Sequence, residues 1–161
     1  MNRKIASIVL IGALSAGVTA CTPSMPQPSE TDMNDRTAAK QGDGTLRTDL
    51  APIAKRYPQL ASAESIAWMG GMTGTSDIGP STYWVDVVAV LPPSEIAALQ
   101  AHGALETVDP PQLVSGMQSR LPSGPFEGSA ALDDLFSSDG HDAKVALDAR
   151  ARTIVLSGLF E

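Results

Sequence analysis

Cysteine, histidine and aromatic side chains are all scarce in this chain, and each scarcity excludes a class of protein. One residue in 161 is cysteine, so no intrachain disulfide and no cysteine-rich metal site can form. Two histidines leave few imidazole acid–base schemes. Neither a Gly-x-Ser-x-Gly elbow nor a Ser-x-x-Lys motif occurs, so a serine hydrolase has no visible nucleophile. Basic residues number 11 against 18 acidic, a balance that nucleic acid would repel. No apolar run reaches the roughly 20 residues a permanent membrane span requires.

What is present is concentrated at the N-terminus. Arg3 and Lys4 form a positive region and an apolar stretch follows to Gly17. Val18, Thr19 and Ala20 then lead to the single cysteine, Cys21. This order is that of a secretory signal, and Val18-Thr19-Ala20-Cys21 resembles the bacterial lipobox. The resemblance implies that the Cys21 thiol takes a diacylglycerol, that residues 1–20 are cut away, and that the new amine is acylated, with palmitate-type chains. The reaction suits cysteine because a thiolate is nucleophilic enough to form the thioether. Two or three acyl chains anchor stably where one binds only marginally. The expected location is therefore extracytoplasmic, lipid-anchored to the cell membrane. In a double envelope, Thr22 after the cysteine resembles the outer-membrane-sorted class. As a whole, the alanine-rich exported chain resembles small lipoproteins of high-GC bacteria.

Residues 22–44 read as a tether. Pro23, Pro26 and Pro28 precede Ser29, Thr31, Asn34, Gly42 and Gly44, and only Met25 and Met33 are large and apolar. Such a segment buries too little to offset its ordering entropy. As a flexible coil its root-mean-square span is roughly 26 Å. Residues 45–161 remain for one globular domain, a usual size for a single core. Once residues 1–20 are gone, 9 basic side chains face 18 acidic ones, a net charge of −9. The domain is expected to hang from its membrane without lying on it.

Beyond the tether the apolar period alternates between 3.6 and 2. Thr48 is a candidate N-cap for a helix carrying Leu50, Ile53, Ala54 and Tyr57, stopped by Pro58. Residues 65–72 and 82–91 are apolar, β-branched and aromatic, which predicts an antiparallel pair about a Gly/Thr/Ser loop. Tyr83, Val85, Val87, Ala89 and Leu91 then form the core face, and Trp84, Asp86, Val88 and Val90 the wetter one. Pro92-Pro93-Ser94 opens a second helix that ends near His102-Gly103. A third is expected after Asp109, carrying Leu113, Met117 and Leu121, and a fourth, shorter one after Ser129, carrying Leu132, Leu135 and Phe136. Residues 143–148 and 153–160 make a second hairpin with one solvated face. The predicted class is α+β, a two-layer sandwich of one antiparallel sheet, built from two hairpins, with helices on one face.

Four groups of residues could carry chemistry. Gly70-Gly71-Met72-Thr73-Gly74-Thr75-Ser76 offers backbone donors to an anion, but it lacks the lysine and following helix of a phosphate loop, so it reads as a hairpin loop. Asp133, Asp134, Asp139, His141 and Asp142 could hold a cation, but their spacing is not that of an EF-hand, and they read as a solvated helix end and turn. His102 suits the negative end of its helix. Trp68 and Trp84, with Asp86 two residues from Trp84, would make a ligand platform if exposed; large rings are more often core anchors. No metal or cofactor is expected. These features point to a tethered binding module for an envelope protein or small ligand. The alternative is a small envelope hydrolase with carboxylate chemistry around Asp77, Asp86 or the Asp139–Asp142 turn.

Overall fold

The computed structural model describes residues 40–73 and 82–161. The expected signal peptide, Cys21, most of the expected tether, and residues 74–81 of the expected loop, with Asp77, lie outside these residues. The described residues form a mixed α/β fold around one seven-stranded antiparallel sheet, in the order β1-β2-β3-β7-β6-β5-β4. The strands are β1 (Lys40–Gly42), β2 (Ser65–Thr73), β3 (Tyr83–Val90), β4 (Glu106–Val108), β5 (Phe126–Gly128), β6 (His141–Asp148) and β7 (Thr153–Phe160).

Both expected hairpins are present, β2 with β3 and β6 with β7. The pairing of β3 with β7 over eight residues, from Tyr83 opposite Phe160 to Val90 opposite Thr153, joins them into one sheet. The sheet is more extensive than two hairpins. Strands β1, β4 and β5 are three residues each, too short to show an alternating pattern, and their place comes from pairing with residues distant in sequence.

Helices α1 (Ala51–Arg56), α2 (Pro93–Gln100) and α3 (Ala130–Phe136) contribute buried side chains to one core. Ile53, Tyr57, Ile96, Leu99, Leu132 and Phe136 meet Val85, Val87, Ala89, Val145, Leu147, Ile154 and Leu156 there. Helix α1 starts after Leu50, which makes no side-chain cap, so Thr48 is not its N-cap; Pro52 is pre-set for the first turn. Ser129 does cap α3, its hydroxyl accepting from the Leu132 N–H at 3.1 Å.

The second face of the sheet is not open, which corrects the two-layer expectation. Ala67, Met69, Trp84, Val88 and Val155 make a second core with Leu113 and Met117. The covering segment is a 3-10 helix, Ser115–Arg120, where the sequence pattern predicts a longer α-helix. The two prolines at 110 and 111 and Gly116 argue against regular α-helix here. Gly116 also permits close approach to the sheet, since a methyl group added there would stand 2.9 Å from the Met69 sulfur. With both faces covered, β7 is buried from Thr153 to Leu156, and the second hairpin has no fully solvated face.

The domain also begins earlier than expected. β1 pairs with the end of β2, Lys40 opposite Thr73 and Gly42 opposite Gly71. The boundary expected at residue 45 therefore cuts into the sheet. Gly71 lets the two backbones approach, because any side chain there would collide with the Gln41 carbonyl.

Candidate functional site

The expected platform of Trp68, Trp84 and Asp86 is divided by the sheet. Trp84 is 2% exposed and belongs to the second core. Its indole N–H donates to the carbonyls of Gln41 and Met72, at 2.9 and 3.0 Å. Trp68 packs against the first core, its N–H on the Asp49 carbonyl at 2.9 Å and Arg47 5.0 Å from its ring centre. Trp68 lies opposite Val87, an odd step from Trp84 along β3, so the two rings point to opposite faces of the sheet.

Asp86 is fully buried at 0% exposure and its oxygens are engaged. Oδ1 accepts from Lys40 Nζ at 2.6 Å and Oδ2 from the Val114 N–H at 2.8 Å. Lys40 Nζ also donates to Ser157 Oγ at 2.9 Å and to the Gln112 carbonyl at 3.2 Å. The cluster ties β1, β3, β7 and the covering segment at one point. A lysine beside a serine hydroxyl suggests a nucleophile and base, but the Lys40 amine is committed to the buried Asp86 carboxylate at 2.6 Å, so the cluster reads as a structural tie.

The acidic group near His141 is likewise dispersed. Asp133 accepts from the Val145 N–H at 2.8 Å and pairs with Lys144 at 2.7 Å. Among the described residues no three His, Asp or Glu side chains converge on a point. His141 instead turns to Tyr57, with 2.7 Å between the hydroxyl and Nε2. Burial pushes the Tyr57 phenol well above its ordinary range. Burial first, and then the Arg56 charge, hold the His141 imidazole below its usual value. Both partners are therefore neutral at pH 7 and share a hydrogen bond. His102 is exposed just beyond α2.

Next to this pair lies a cleft of about 370 Å³ whose lining includes Trp68 and Trp84 of the expected platform but not Asp86. It opens on the helix-bearing face, between α1 and the ends of β2, β3 and β7. Ile53, Trp68 and Val85 line its depth and Met72, Tyr83 and Phe160 its mouth. Tyr83 and Phe160 are register partners whose rings stack at 5.6 Å and 16°. Met72 is 44% exposed and Tyr83 42%, two of three large apolar side chains so exposed in the described residues. Gly70 sits between Trp68 and Val85 without room for a side chain, since a methyl group there would stand 3.1 Å from the Trp84 carbonyl.

Two guanidinium groups flank this apolar cleft. Arg47 pairs with Asp43. Arg56, the last residue of α1, lies over Phe160 with 3.5 Å from guanidinium carbon to ring centre. None of the ion pairs among the described residues includes Arg56. Its position in the last turn of α1 was readable in the sequence, but Phe160, more than 100 residues away, was not placed beside it by any local pattern. A larger hollow of about 560 Å³, between β4 and α3, offers less: of its charged groups, Asp133 and Lys144 already satisfy each other.

Compared with known proteins, the chain matches no family model, no curated protein and no solved structure.

Proposed function

We propose that this chain is an exported lipoprotein, lipidated at Cys21, whose globular domain is a binding module held near the membrane by its linker. The lipobox-like Val18-Thr19-Ala20-Cys21 supports the anchor. The cleft beside Arg56 supports the binding role and is the single observation that carries it: a pocket of ligand size, mostly apolar, with a cation at its mouth. The domain otherwise carries a net negative charge, so a cation held over an aromatic ring at an open cleft suits recognition better than solubility.

Two measurements in intact cells test the reading. Metabolic labelling with an alkynyl fatty acid should mark the wild-type chain and not Cys21→Ala. A photo-crosslinking amino acid at Met72, at the mouth of the cleft, should give a discrete adduct in the membrane fraction, and the same probe at Asp139 should not. Equal labelling of both chains would overturn the anchor, and identical crosslinking from the two positions would overturn the assignment of the cleft.

A further inference from the structure

We infer that the cleft beside Arg56 takes a small amphiphilic carboxylate, an apolar body of one ring or a short acyl chain ending in a single carboxylate group; the inference rests on reading the domain as a binding module. The argument starts from the walls. Ile53 and Val85 are buried aliphatic side chains, Trp68 lies beside them, and Phe160 and Tyr83 form a stacked pair. Such a lining gains by removing apolar surface from water and offers little to a sugar.

The head group is decided by charge. Arg56 lies over Phe160, 3.5 Å from guanidinium carbon to ring centre, and among the described residues it is in no ion pair; a guanidinium over a ring face can still offer its edge donors to a ligand. One guanidinium edge matches the two oxygens of one carboxylate. A phosphate monoester carries more charge and more acceptors than a single fork satisfies. The neighbouring Tyr57 and His141 form a neutral pair, so no negative charge competes from that side. A cationic ligand would meet Arg56 at the entrance, Arg47 being paired with Asp43.

The test uses three probes of one shape, 4-phenylbutyrate, 4-phenylbutanol and 4-phenylbutylamine. They are titrated by calorimetry into the full chain in lipid nanodiscs, with empty discs subtracted. The acid should bind saturably and about tenfold or more tighter than the alcohol, with the amine weakest, as a charge-assisted contact requires. Arg56→Gln should reduce the acid to the level of the alcohol, and Arg56→Lys, which keeps the charge without the fork, should fall between. Leu159→Ala, outside the cleft, should leave all three unchanged, and unaltered melting temperatures show that the variants are folded. Equal binding of acid and alcohol, indifference to Arg56→Gln, or no saturable binding in the millimolar range would each overturn the inference. If the acid fails while the Met72 position still crosslinks in cells, the ligand class is wrong and the module reading stands; if both fail, the cleft is not a binding site.

Discussion

Removing the Lys40 ammonium while keeping its stem, as in Lys40→Met, should destabilise the domain far more than a change near its edge normally would. Lys40 is the first residue of β1, at the border of the sheet, yet its Nζ reaches Asp86 Oδ1 at 2.6 Å and Ser157 Oγ at 2.9 Å. Asp86 is wholly buried. With the lysine gone it would keep one hydrogen bond, from the Val114 N–H, and no countercharge among these partners. Breaking a buried ion pair from one side costs about 3–5 kcal/mol, because the remaining charge is left desolvated. The Lys40 side chain retains 22% exposure, so water can reach the gap, and a value of about 3 kcal/mol is expected. For a domain of this size each kilocalorie corresponds to about 4 °C, so the melting temperature should fall by roughly 12 °C. The assay is urea unfolding followed by tryptophan fluorescence, with a calorimetric scan beside it. Adding Asp86→Asn to Lys40→Met removes the stranded charge, and the double variant should be more stable than Lys40→Met alone. A loss under about 0.5 kcal/mol for Lys40→Met would refute the reasoning, as would a double variant weaker than the single one.

Trp84→Ala should cost about 3–5 kcal/mol, as for a large ring removed from a packed core, because the indole is buried and its N–H holds two carbonyls; unchanged denaturation midpoints would place the ring outside the core. His141 gives a pH dependence of definite sign. Its folded-state pKa is depressed, so its stabilisation is complete above the unfolded imidazole value of about 6.5 and is lost as pH falls through that value toward the folded one. Thermal scans between pH 8 and pH 5 should show this loss, and His141→Gln should flatten it. Mild proteolysis should leave a resistant fragment that begins near Lys40 and not near Thr45, since β1 is paired to β2; N-terminal sequencing of the fragment decides between the two.

Local pattern determined much of the frame. The proline after Tyr57, the β-branched run of β3 and the alternation in β6 set a helix and two hairpins close to where they occur, because backbone preference and near-neighbour burial act over a few residues. Tertiary contact decided the rest. The alternation of β3 showed two unlike faces, but it could not show that the segment around Met117 would cover the second one, since that burial depends on a chain stretch about 30 residues away. For the same reason Asp86 read as a residue on the wetter side, when in the fold it is buried with Lys40, which had been assigned to the tether. The candidate site follows the same rule. Arg56, Trp68, Tyr83 and Phe160 lie in four separate elements, and the register of β2, β3 and β7 together with the packing of α1 brings them around one cleft. The lipobox-like motif before the domain is a property of contiguous residues and is read from the chain directly. A cleft made by sheet pairing has no such local signature, because the distances that define it come from hydrogen bonds between residues far apart in sequence.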